Sequence, residues 1–286
     1  MALNPIEPAA FDFILQVERL YASLIASAIP SRAREVSASR PGLATDAGSS
    51  PDEEQNLGGS LLYAGELDSE GRALLVAGNI AGAASLAATA DLTAQRQAIH
   101  DGAADFLVTS LDEALRILKN ELRKRETVAV CVAAAPDAVE REMLERGVLP
   151  DLLRPGAVAQ RYGPFLKQGA RQIQLHDHEN GEMVLTWRVA AAPAQWLPKL
   201  DAVALDCLQQ KDWAARRWVR RAPRYLGRLG QGVRLLVCDR EFAARFAEQA
   251  RDRVERGEIG VAIEIQLTGS GISDRQTFSP LHDLES

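Results

Sequence analysis

The stretch from Arg72 to Leu153 limits the fold of this chain more than any other, because short apolar runs alternate there with segments of helical period. Arg72-Ala-Leu-Leu-Val-Ala77, between Gly71 and Gly78, has the pattern of a strand buried on both faces. Gly78-Asn-Ile-Ala-Gly82 follows, with two glycines where a chain turns sharply from strand to helix. Ala83 to His100, rich in Ala, Leu and Gln, reads as a helix capped near Gly102. Asp105-Phe-Leu-Val108 reads as the next strand, and Ser110-Leu-Asp-Glu113 as a capping box. Leu111, Leu115, Leu118 and Leu122 then recur at helical spacing. Thr127-Val-Ala-Val-Cys-Val132 is a β-branched strand, Pro136 starts a helix that Gly147 ends, and Val148 to Leu153 begins a fourth strand. Strands alternating with helices imply right-handed crossovers, so the expected class is α/β with a Rossmann-like parallel sheet and flanking helices.

This region resembles the dinucleotide-binding core of the urocanase (urocanate hydratase) family. The residues that carry the resemblance are Ala81-Gly-Ala83, Leu86-Ala87, Asp91, Gly102, Asp105 and Ser110-Leu-Asp-Glu-Ala-Leu115. A second block, Ala134 to Leu153, adds Glu145-Arg-Gly-Val-Leu-Pro-Asp-Leu152. No single motif is specific; the ordered series carries the weight. The resemblance implies a shared sheet and, as a candidate cofactor, NAD. It also fails in two places. In urocanases a glycine-dense loop and helix after the first strand hold the pyrophosphate of a tightly bound NAD, whereas Ala77 to Ala81 runs straight on here. Urocanases follow the Pro-Asp-Leu-Val strand with a Thr-Asp-Gln-Thr-Ser-Ala-His-Asp run that lines the active site; this chain has Arg154-Pro-Gly-Ala157. The expectation is a relative without hydratase activity.

Outside the core, Pro8 to Ala28 is an amphipathic helix with Ile14, Val17, Tyr21, Leu24 and Ala28 on one stripe, stopped by Pro30. It either packs on the chain's own sheet or joins subunits of a homo-oligomer. Residues 31–59 lack periodicity and read as a linker. The core then spans 60–157, and a C-terminal α/β portion spans 158–270. In that portion Gln172–Asp177 and Glu182–Val189 flank an Asn-Gly turn, the pattern of a β-hairpin. A long arginine-rich helical stretch (194–228, kinked at Pro223), a strand at 233–237, a helix at 241–255 and a strand at 260–267 follow, and 271–286 reads as a frayed tail.

A net charge of −6 gives no global pull toward nucleic acid or an anionic membrane. Three cysteines without paired spacing argue for a reducing compartment, and with no signal or membrane-length apolar run the expected location is cytoplasmic.

Four places can carry chemistry, each with a plainer alternative. Gly78, Asn79 and Gly82 form a turn that suits a phosphate if a helix begins there, so this is the candidate NAD or nucleotide site of an enzyme or sensor; the plainer reading is a structural turn. Asp91 matches the acidic position of urocanases, yet the helical reading of 83–100 puts it inside a helix, and both placements stay open. His176 and His178, two apart on a strand, share a face as metal ligands do, with Glu179 and Glu182 nearby; alternatively they are a solvated hairpin tip. Cys238, between a strand and a helix start, is the candidate nucleophile, since a helix N-terminus lowers a thiol pKa; otherwise it packs as a small apolar residue. The arginines Arg216, Arg217, Arg220, Arg221, Arg224 and Arg228 line a helix face that can bind an acidic partner or simply be solvated.

Overall fold

A computed structural model describes residues 7–38, 56–156, 159–175, 182–269 and 272–280. The chain divides into two compact units, Arg19–His176 and Asp177–Ser286 with Met1–Glu18. The division falls inside the first helix, α1 (Pro8–Ala38). That helix carries on through Pro30, and its stripe of Ile14, Val17, Tyr21 and Leu24 is buried within this chain. The expected linker from residue 31 therefore begins as helix; residues 39–55 lie outside the described residues, and Leu57 at its far end is buried, its N–H donating to Ala81 O.

The first unit is built on six parallel strands. In chain order they are β1 (Leu61–Glu66), β2 (Ala84–Ala88), β3 (Phe106–Val108), β4 (Val128–Val132), β5 (Leu152–Leu153) and β6 (Arg171–Gln172). Their order across the sheet is β3-β4-β2-β1-β5-β6. The connecting helices are α2 (Ser69–Ala81), α3 (Leu92–His100), α4 (Leu111–Lys124), α5 (Pro136–Glu145) and α6 (Ala159–Lys167). Leu61, Tyr63, Leu86, Val128, Val130 and Val132 on one sheet face meet Leu111, Leu115, Leu118, Val139, Met143 and Phe165 of α4, α5 and α6 in one apolar core. α2 lies on the opposite face, where a side chain at Gly78 would meet Ser85 Oγ at 2.6 Å. This is the expected doubly wound class, but the elements of its first third are exchanged. The run expected to be the first strand, Arg72–Ala77, is the middle of α2; the first strand is β1, in a stretch that had no assignment. Asp68 caps α2, its Oδ1 accepting from Gly71 N, and Gly82 ends it at φ 94°. α2 is buried on every side from Ala73 to Ala81, so its sequence shows no polar face and passes for a strand. The expected helix over 83–100 is β2 followed by α3. Its alanines let α2 approach the sheet, and packing overrides their helix propensity.

Two aspartates of the urocanase-like series fasten strand beginnings. Asp105 Oδ2 accepts from Ala129 N at 2.7 Å, tying the start of β3 to β4, and Asp151 Oδ2 accepts from Leu61 N at 2.7 Å, tying β5 to β1. Each carboxylate satisfies a backbone donor that the slanted parallel ladder leaves open. Replacing either by Ala should cost about 1.5 kcal/mol, and by Asn less, since an acceptor oxygen remains. Urea denaturation followed by far-UV circular dichroism checks this.

The second unit carries β7 (Met183–Val189), α7 (Pro193–Cys207), α8 (Trp213–Tyr225), β8 (Arg234–Cys238), α9 (Arg240–Glu255), β9 (Ile263–Gly269) and β10 (Ile272–Phe278). Its four strands form an antiparallel sheet in the order β10-β9-β7-β8. Among the described residues of 172–189 the expected hairpin pairing is not found, and its Asn-Gly turn lies outside the described residues. β6 closes the parallel sheet, whereas β7 pairs with β8 and β9. The hairpin of this unit is β9–β10, paired from Gly269↔Ile272 to Ile263↔Phe278, in part of what read as a frayed tail. The arginine-rich stretch is two helices, broken at 208–212, with Pro223 tolerated in the last turns of α8. Among the described residues no helix is long and apolar enough to cross a membrane.

Candidate functional site

In an open parallel sheet, ligands bind beyond the carboxyl ends of the strands where successive connections leave in opposite directions. Here that point lies between β1 and β5, because β1 leads toward β2 and β5 leads away toward β6. A bulge at Tyr63–Gly65 bends β1 just before it ends, and Gly65 sits at φ 70°, where a side chain would meet Tyr162 Oη at 2.7 Å.

Two interlocked clusters occupy the crevice. In the first, Arg154, immediately after β5, donates through Nη1 to Glu66 O (3.1 Å) and through Nη2 to Asp68 Oδ2 (3.0 Å) and Glu70 Oε2 (2.7 Å). Burial works against the charge on Arg154, but Glu70 and Asp68 more than offset it and hold the guanidinium protonated. In the second, Glu140 of α5 is buried and accepts from Tyr63 Oη (2.9 Å), Arg161 Nε (2.6 Å) and Arg161 Nη2 (2.8 Å). Burial, then the charge of Glu140, pushes the Tyr63 hydroxyl far above its ordinary value and that of Tyr162 up to about 12. The rings of Tyr63 and Tyr162 meet edge to face at 6.1 Å between centroids. Each tyrosine stays neutral, and each named arginine is engaged by a carboxylate.

The geometry is poor for a pyrophosphate. A phosphate at the start of α2 would need the free N–H groups of its first turn. Asp68 already takes Gly71 N–H at 2.8 Å, and Glu70 adds a second carboxylate in the same first turn. A side chain at Gly71 would meet Glu66 O at 2.0 Å, so this glycine serves close packing within the turn.

The residues expected from the sequence do not gather here. Gly78 and Asn79 are buried inside α2, and Gly82 is its C-terminal cap. This is a helix C-terminus at the opening of β2, not a strand-to-helix turn, and its dipole end is negative. The physical argument for a phosphate at Gly78, Asn79 and Gly82 therefore lapses. Of the two open placements for Asp91 the helix interior is excluded: it stands three residues past the carboxyl end of β2 as the N-cap of α3, exposed, with Oδ1 accepting from Thr93 N at 2.7 Å. His176 and His178 lie outside the described residues, and among the described residues no group of three His, Cys, Asp or Glu could hold a metal ion. Cys238 ends β8, but burial, then Asp239 and Glu182, pushes its thiol up to about 12. That is opposite to the expected activation, because the helix start beside it is already capped by the Asp239 carboxylate. In α8, Arg216 donates to the carbonyls of Leu205 and Leu208, Arg217 and Trp218 are buried, and Arg224 lies over the Tyr225 ring. Tyr63, Asp68, Glu70, Glu140, Arg154 and Arg161 went unrecognised in the sequence. Only Asp68-Ser-Glu-Gly71 had a local signal, as an N-cap ahead of an apolar run.

Strand order, crossovers and the placement of this crevice define a doubly wound domain of Rossmann type. The family model of the urocanase Rossmann-like domain matches residues 46–162. That interval takes in β1 to β5 and the clusters around Arg154 and Glu140, and it leaves the antiparallel unit unmatched.

Proposed function

We propose that this chain is a urocanase-related protein without hydratase activity, acting as an oligomeric binding or accessory protein. The observation that carries the reading is the carboxylate of Asp68 on Gly71 N–H, with Glu70 in the same turn, at the place where a Rossmann domain receives a pyrophosphate. The segment after β5 supports it. Arg154 stands where urocanases carry their polar active-site run, and it is committed to Asp68 and Glu70. Purified full-length protein incubated with urocanate and NAD should leave urocanate unconsumed; consumption above the protein-free rate overturns the reading.

A second reading, an enzyme or sensor that binds NAD or another nucleotide, is favoured by Asp91 alone. Its exposed carboxylate just beyond β2 has the position from which an acid binds ribose hydroxyls in this class of domain. Calorimetric titration separates the two. No heat with NAD at millimolar concentration supports the first, and saturable heat abolished in Asp91→Ala supports the second. Metal binding through His176 and His178 is tested by elemental analysis after dialysis against zinc.

A further inference from the structure

Among the described residues the parallel sheet ends at β3, which pairs with β4 on one side and presents its other side as backbone open to a further strand. Apolar side chains are exposed on both faces of this edge. Phe106 is 46% exposed on the α4 face, and Leu107 is 41% exposed on the opposite face, where Leu92 and Ile99 of α3 are exposed as well. On the α4 side the edge opens into a shallow cleft of about 820 Å³ floored by Phe106 and Val128 and walled by Arg116, Ile117, Asn120 and Glu121.

We propose that this edge pairs with the same edge of a second copy of the chain about a two-fold axis normal to the sheet, β3 antiparallel to β3, joining two six-stranded sheets into one. The proposal rests on the oligomeric part of the function given above and names its surface. The argument for a second copy, rather than another partner, is the charge sequence of α4. Such an axis sets α4 antiparallel to its copy along the cleft. The residues of α4 on the cleft side are Glu113, Arg116, Ile117, Asn120, Glu121 and Lys124. Reversed against itself and centred between Leu118 and Lys119, this series matches Glu113 with Lys124 and Arg116 with Glu121, with Ile117 facing Asn120 between them, and each charge match occurs twice by symmetry. The stripe is about 16 Å long at 1.5 Å per residue, so a one-turn slip loses these matches. Within one copy Glu121 already holds Lys124 at 3.0 Å, and the incoming Arg116 adds to that pair. Because α4 packs over β4 and β2 as well as β3, the two helices stand apart, and Phe106 from both copies fills the cleft between them.

The test is the mass of the full-length protein by sedimentation, as a function of concentration. The expected result is a dimer of the 31.0 kDa chain. Leu107→Lys should give a monomer. Arg116→Glu should weaken association about tenfold or more, and Arg116→Glu with Glu121→Arg should restore it, because the swap recreates the same match in both copies. All these side chains are at least partly exposed, and a wild-type far-UV circular dichroism spectrum with a cooperative urea transition confirms that each variant folds, its midpoint falling only by what association contributed. Three results overturn the proposal: a wild type that stays monomeric, a dimer unaffected by Leu107→Lys, and a dimer that dissociates only when residues 1–30 are removed. Urocanate turnover by an intact dimer would sink the accessory reading and leave this interface standing, whereas a dimer indifferent to Leu107→Lys does the reverse.

Discussion

At pH 8, iodoacetamide should alkylate Cys238 of the folded protein on the order of a thousand times more slowly than a free thiol. With its pKa pushed up to about 12, roughly one thiol in ten thousand is ionised at that pH, against about a quarter for a cysteine of ordinary pKa. Burial is the main cause and the neighbouring carboxylates Asp239 and Glu182 add to it, so the site resists the anion twice over. Cys131, buried in β4 and also pushed up to about 12, should behave alike, and in urea all three cysteines should react at the free-thiol rate. Mass spectrometry of tryptic peptides over time reads each site separately. Rapid labelling of Cys238 in the folded state would restore it as a candidate nucleophile. The same groups set the response to alkali. Their native pKa values are raised, so the folded state keeps protons that the unfolded chain releases. The stability these groups contribute is then complete below about pH 8.5 and is lost as pH rises through the window up to about 12. Tyr162, pushed up to about 12, joins above pH 10.

Where structure is written locally, the sequence and the fold agree. Ser110 caps α4, its Oγ accepting from Glu113 N, and the Glu113 carboxylate reaches back to Thr109 N at 2.9 Å. Leu111, Leu115 and Leu118 are buried on the stripe that their spacing predicts, and Val128 to Val132 form β4. The fold class could be read because such segments alternate. Between Leu61 and His100 the signals mislead. α2 is enclosed on all sides, so it lacks the polar face by which a helix is recognised, and β2 is alanine-rich because α2 presses on it. Exchanging strand for helix there also moved the candidate phosphate turn to the wrong end of the sheet. The crevice itself was beyond local reading. Tyr63 meets Glu140 from 77 residues away, Arg161 meets Glu140 from 21, and Arg154 meets Glu70 from 84. No spacing rule links residues that only the crossovers bring together.

Glu264→Ala should destabilise the antiparallel unit by about 3–5 kcal/mol. Glu264 of β9 is 3% exposed, and each of its oxygens is taken by a different arginine. Oε1 accepts from Arg188 of β7, its direct cross-strand neighbour, and Oε2 accepts from Arg275 of β10 at 2.8 Å through Nε. Arg188 is buried, so removing Glu264 takes away a carboxylate partner, with its hydrogen bonds, from a guanidinium that water does not reach well. The Arg275 side chain is 56% exposed and can regain water, so Arg275→Ala should cost about 1 kcal/mol or less. Replacing Arg188 and Glu264 together by Met and Leu should recover most of the loss, because the buried charges then vanish in pairs. The measurement is clean. All four tryptophans, at 187, 196, 213 and 218, lie in the antiparallel unit, so their fluorescence in urea follows its unfolding without a tryptophan signal from the Rossmann-type sheet. A Glu264→Ala midpoint equal to that of Arg275→Ala would mean that Arg188 is solvated in the variant, and that β9 is held to β7 by its backbone ladder and by the Trp187–Phe246 packing behind it, not by the ion pairs.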